Sequence, residues 1–213
     1  MSDSPTNPFE KRSRERRAAR RQVRHASATP ASAPLSETPK RLAPQLQDDG
    51  TQSDAEPKLL LVVCTANICR SPMIVGILQE RFRQLGLDNR IEIKSAGVFG
   101  LTGKRASQEG VDLLAERGID ISGHVARQLE PDEIEAADLI IVMEEAHRQA
   151  IFVRAPHHVH KVILFSELVG QHEDVDDPYG RGRRAYKKTL TRIDQTLDSG
   201  WNVLLAQLQL DRV

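Results

Sequence analysis

Five residues separate Cys64 from Arg70 in the run Cys64-Thr65-Ala66-Asn67-Ile68-Cys69-Arg70-Ser71-Pro72. The apolar run before it, KLLLVV, reads as a strand. After it, Pro72 suits a first helical turn, and Met73, Ile77, Leu78 and Phe82 recur at helical spacing. A turn of small and polar residues between strand and helix can aim several backbone N–H groups into one concavity. The start of the helix adds partial positive charge there. Arg70 supplies a planar fork of donors that matches two phosphate oxygens. The same environment favours a thiolate at Cys64, and Ser71 can hydrogen-bond that sulfur and help it leave. Together these residues suit in-line phosphoryl transfer to sulfur, giving a phospho-cysteine intermediate. A cysteine at a strand end is more often a small buried hydrophobe. Here the strand before it, the Ser-Pro after it and the helix beyond argue for the chemical reading.

A thiolate phosphatase also needs a proton donor for its leaving group and later a base for water. Candidate carboxyls cluster at Glu173, Asp174, Asp176 and Asp177, and an acidic solvated loop is the commoner fate of such a run. Pro178 biases Asp177 toward extended backbone. The residue types alone do not choose among the four.

The elements that must carry these groups follow from apolar patterning. Strands are expected at residues 58–63, over IEIKSAG as far as Ser95, and at 138–143 and 161–165. Helices are expected after Pro72 to a stop at Gly86, at 106–117 closed by Gly118, at LEPDEIEAA, at 145–152 and at about 182–209. On the last of these Trp201, Leu204, Leu205 and Leu208 should face inward. Four apolar strands alternating with helices predict an α/β fold: a doubly wound four-stranded parallel sheet with helices on both faces, flavodoxin-like. Ligands in such sheets bind beyond the carboxyl ends of the strands, where Cys64 falls.

Residues 1–57 differ in texture. Lys11, Arg12, Arg14, Arg16, Arg17, Arg20, Arg21 and Arg24 crowd one segment, and a Ser, Pro and Ala-rich stretch with few large aliphatics follows. That composition cannot bury a core and reads as a disordered tail ahead of a catalytic domain at 58–213. A solvated extension is the plain reading, and contact with an acidic partner is the alternative. The whole chain balances 30 Lys and Arg against 30 Asp and Glu, which gives no electrostatic case for nucleic acid. No run is long enough to span a bilayer and the N-terminus lacks the apolar core of a signal peptide, so a cytoplasmic protein is expected. Cys64 and Cys69 are the chain's only cysteines and staple no distant loops. His25, His147, His157, His158, His160 and His172 are unexceptional as residues. His157, His158 and His160 lack a companion Cys or acid at ligand spacing, so neither metal nor cofactor is expected.

LLLVVCTANICRSPM resembles the signature of the low-molecular-weight protein-tyrosine-phosphatase family, over residues 58 to about 210. Further landmarks occur in order: Ser95-Ala96-Gly97, His124 and Arg127 in GHVARQL, Met143-Glu144, and Asp177-Pro178-Tyr179. The resemblance implies Cys64 as nucleophile and Asp177 as general acid, with Asp176 a bystander. It implies that residues 65–71 enclose the phosphoryl group, Thr65, Ala66, Ile68, Cys69 and Ser71 among them. Asn67, Ser95 and His124 are implied to hold the loop open. Tyr179 would wall the entrance and stack on an aromatic leaving group, with Phe99 a second rim candidate. Cys69 is implied to pair reversibly with Cys64 on oxidation. Two positions depart from the usual pattern: Ala66 stands for glycine, strained if φ there is positive, and Glu144 stands for Asp.

The expected substrate is phosphotyrosine in a protein, with a bacterial tyrosine kinase as a candidate partner. A bacterial branch of the family that hydrolyses arginine phosphate is the nearest rival. It carries threonine where this chain has Ile68, and a branched apolar side chain suits an aromatic substrate better than a guanidinium. Thioredoxin-coupled arsenate reductases need cysteines downstream of Cys69, which are absent. A non-catalytic phosphate-binding module would be expected to lose Cys64, Arg70 or Asp177.

Overall fold

A computed structural model describes residues 56–210; the tail expected at residues 1–57, and any contact it makes, lies outside the described residues apart from Glu56 and Pro57. The apolar runs become β1 (Lys58–Cys64), β2 (Ile91–Gly97), β3 (Leu139–Val142) and β4 (Val162–Leu164). Five α-helices join them: α1 (Arg70–Gln84), α2 (Gln108–Ala115), α3 (Pro131–Ala136), α4 (Glu145–Arg154) and α5 (Gly182–Gln207). The strands lie in the order β2-β1-β3-β4, all parallel, with Cys64 opposite Gly97 at their carboxyl ends.

Side chains alternate across the sheet and seed two cores. Leu60, Val62 and Cys64 face one way with Met73, Ile74, Leu78 and Phe82 of α1, Leu114 of α2 and Leu190, Ile193 and Leu197 of α5. Leu61 and Val63 face the other way with Ile134 of α3 and Ile151 of α4. The sheet is therefore covered on both faces, as the near-continuous apolar strands require. Leu204, Leu205 and Leu208 are buried as expected, whereas Trp201 is half-buried against Phe82 with Arg81 over its ring.

Several boundaries move. Expected at 161–165, β4 is shorter because Phe165 opens a 3₁₀ turn, Phe165–Val169. Expected at 106–117, α2 is trimmed at both ends, while α4 runs on to Arg154. These shifts fall on short or frayed ends, where local pattern is least decisive.

Candidate active site

The turn between β1 and α1 is organised by where its carbonyls go. Those of Cys64, Thr65 and Ala66 accept from the N–H groups of Val98, Phe99 and Leu101 at 3.0, 2.9 and 3.1 Å. The Asn67 carbonyl meets His124 Nε2 at 2.7 Å, and that of Ile68 accepts from Ser107 N–H at 2.8 Å. Every carbonyl from residue 64 to 68 is thus engaged by a segment outside the turn. Among the described residues no N–H from 65 to 69 donates to a backbone carbonyl. The turn so held, at the head of α1, keeps those N–H groups free of backbone acceptors, which is the arrangement an anion would need. Two glycines let the supporting loop approach: a Cβ on Gly97 would lie 2.6 Å from the Thr65 carbonyl oxygen, and one on Gly100 would lie 2.2 Å from that of Arg127.

Asn67 is the hub. It carries a positive φ of 60°, whereas Ala66 does not, so the alanine that stands for glycine escapes the strain a positive φ would have brought. Its Oδ1 accepts from the Arg127 N–H at 3.0 Å, which orients the amide so that Nδ2 donates to Ser71 Oγ and Ser95 Oγ, both at 2.9 Å. Asparagine tolerates this backbone better than most residues, and the buried amide is satisfied on both sides. Because Ser71 Oγ accepts from Asn67, its own hydrogen is left for Cys64 Sγ, 3.0 Å away. His124 is half-buried, and burial holds its pKa below the ordinary histidine value. Neutral His124 can donate to the Asn67 carbonyl without adding charge.

Arg70 is 1% exposed and anchored from several sides. Its Nη1 meets Glu144 and donates to the Val175 carbonyl at 2.8 Å. Nη2 donates to Asp177 Oδ2 at 2.7 Å and to Thr65 Oγ1 at 3.1 Å. Nε is buried with no partner among the described residues. Glu144 therefore reaches the arginine itself. Asp176, by contrast, points away to Lys188 at 2.9 Å. Asp177 Oδ1 accepts from the Tyr179 N–H at 3.1 Å, which ties the acid loop into a tight turn.

A cleft of about 140 Å³ joins Cys64, Thr65, Ala66, Ile68, Cys69, Leu101, Asp177 and Tyr179. Leu101, which the sequence reading passed over, lines this cleft, whereas the rim candidate Phe99 does not. Phe99 is 69% exposed. Cys69 sits 3.0 Å from the buried Tyr186 hydroxyl, and burial pushes its pKa up, so it is held as a thiol. Nothing in the local pattern singles out Tyr186; its partner lies 117 residues away.

His147 is the clearest correction. It is unexceptional in sequence, yet it is 2% exposed and its Nε2 lies 2.9 Å from Thr65 Oγ1. Burial lowers its pKa to about 4, with Glu144, Asp174 and Asp177 acting to raise it and Arg70 to lower it. An unfolded chain takes up the proton near pH 6.5. The folded chain refuses it until about pH 4, so this group costs stability as pH falls between those values. We expect a loss of about 2 kcal/mol between pH 7 and 5 in denaturant titrations. His147→Gln should show a smaller loss, and an equal loss would exclude His147 as the cause.

The sequence pattern of the low molecular weight phosphotyrosine protein phosphatase family matches residues 59–212. A probable low molecular weight protein-tyrosine-phosphatase, EpsP, of Ralstonia solanacearum is 36% identical over 142 residues, which cover 67% of this chain and 92% of the relative. A protein-arginine-phosphatase of Bacillus subtilis is 34% identical over 154 residues, 72% of this chain and 98% of its own. The crystal structure of a low molecular weight protein tyrosine phosphatase from T. tengcongensis superposes with a TM-score of 0.63 at 40% identity, covering 67% of this chain and 96% of that one. The chain belongs to the low molecular weight phosphotyrosine protein phosphatase family and is a cysteine-based phosphatase.

Proposed function

We propose that this phosphatase hydrolyses phosphotyrosine in proteins, with the cleft wall as the observation that carries the choice. Cys64 attacks phosphorus in line and the leaving phenoxide departs, giving a phospho-cysteine; water then releases phosphate and returns the thiolate. Ser71 stabilises the sulfur through its free hydrogen. The N–H groups of residues 65–69, free of backbone acceptors, and the unpaired Arg70 Nε take the phosphoryl oxygens. Asp177 protonates the leaving oxygen and later activates water, once the arriving phosphoryl group replaces its carboxylate on Arg70 Nη2. Asn67, Ser95 and His124 keep the turn open.

Ile68, Ala66, Leu101 and Tyr179 line the mouth around Cys64. An aromatic ring gains from these apolar contacts, whereas a guanidinium would lose hydration without finding a carboxylate beyond Asp177. The arginine-phosphatase relative supports a second reading, hydrolysis of arginine phosphate, because its likeness covers 72% of this chain and 98% of its own. The same proposal makes a phosphotyrosine protein the partner, a bacterial tyrosine kinase its source, and the cytoplasm the compartment, where a thiol nucleophile stays reduced. No described helix is long and apolar enough to cross a membrane.

The test compares phosphotyrosine and phosphoarginine peptides of one sequence. The wild type should prefer phosphotyrosine at least about 10-fold in kcat/KM, and Ile68→Thr should shift the ratio toward phosphoarginine by a similar factor. Preference for phosphoarginine in the wild type would overturn the tyrosine reading.

A further inference from the structure

His147 has no part in the chemistry proposed above, yet it is one of the few fully buried ionisable side chains near the site. It stands in the first turn of α4 and touches the phosphate loop at one atom, Thr65 Oγ1. Its other ring nitrogen, Nδ1, is buried without a partner among the described residues. A buried unpaired donor is costlier and rarer than an unpaired acceptor. The proton of the neutral ring is therefore assigned to Nε2, which donates to Thr65. Arg70 Nη2 donates to the same oxygen at 3.1 Å. Both lone pairs of the Thr65 hydroxyl are then filled, and its orientation is fixed.

The consequence falls on Arg70. Glu144 and the Val175 carbonyl hold its Nη1, and Asp177 and Thr65 share its Nη2. When the Asp177 carboxylate serves the leaving oxygen, Thr65 is the Nη2 partner that remains. We infer that His147 is a positioning residue: through Thr65 it fixes the plane of the Arg70 guanidinium so that Nε addresses the phosphoryl group. Burial keeps His147 neutral, so it steers Arg70 without adding a second positive charge. This inference rests on Arg70 being the phosphoryl-binding group.

The experiment measures kcat and KM for p-nitrophenyl phosphate, and the Kd of inorganic phosphate by calorimetry, on the full chain. The variants are Thr65→Val, His147→Leu, His147→Gln and the Thr65→Val/His147→Leu pair. Thr65→Val and His147→Leu should each weaken phosphate binding and raise KM about 5- to 10-fold, with a smaller change in kcat. The double variant should be no worse than either single one, because both break one relay. His147→Gln keeps an amide donor and should return to within about 2-fold of wild type. Losses that multiply in the double variant would overturn the inference, as would unchanged phosphate affinity in Thr65→Val, which stands even if His147→Leu fails to fold. Phosphate affinity does not depend on turnover. A wild type that binds phosphate but hydrolyses nothing would therefore count against the proposed function and leave the relay testable.

Discussion

Cys64→Ser should reduce hydrolysis of p-nitrophenyl phosphate by about 10⁴-fold or more, leaving phosphate binding nearly intact. The serine hydroxyl is a far weaker nucleophile than a thiolate, and nothing near it is built to remove its proton. Asp177 is held by Arg70 and is proposed to serve the leaving oxygen, and Ser71 is a donor by virtue of Asn67. The proposed anion site, in contrast, is formed by Arg70 and backbone N–H groups that the substitution does not touch. The expected result is a trap: calorimetry should give a phosphate Kd within a few-fold of wild type, while turnover falls to background. Residual turnover within about 100-fold of wild type, under reducing conditions, would remove Cys64 from the role of nucleophile.

Arg70→Lys should cost about 10³-fold in kcat/KM and also loosen the fold, because Arg70 does two things at once. In the proposed reaction its Nε, buried without a partner among the described residues, takes the phosphoryl group, and its two terminal nitrogens join β1's turn to Glu144, Val175 and Asp177. A lysine ammonium is one point of charge on a flexible stem. It can neutralise one carboxylate but cannot span both while facing the ligand. Glu144 and Asp177 are 28% and 42% exposed in their side chains, so water absorbs part of the damage. A stability loss of about 1–2 kcal/mol is expected, short of the larger cost of breaking a fully buried pair. Phosphate affinity should fall with kcat/KM. If affinity holds while only kcat drops, Arg70 acts on the transition state alone.

Much of this was legible in the chain because the informative residues are close in sequence. Cys64, Arg70 and Ser71 lie within one turn, and strand and helix patterning flank them directly. The sheet was legible for the same reason, since β1 and β3 are continuous apolar runs. What was not legible is long-range. His147 meets Thr65 across 82 residues and Tyr186 meets Cys69 across 117, and neither bears any local mark. Leu101 became a wall residue only because Leu101 N–H binds the Ala66 carbonyl, a contact that no periodicity announces. Whether Ala66 would need positive φ was likewise open in the sequence; the left-handed residue is its neighbour Asn67, whose side chain is bonded on both sides.

The outward carbonyls of the phosphate turn have an evolutionary consequence. In the proposed reaction the anion is captured by Arg70 and by main-chain N–H groups, which substitutions other than to proline leave in place, and the segments that clamp the turn from outside hold those groups in position. The side chains of Ala66 and Ile68 are free of that duty and line the cleft where the departing group would lie. Mutation can therefore search new leaving groups at these two positions without first dismantling the reaction. A lineage built this way can change clients while keeping its chemistry.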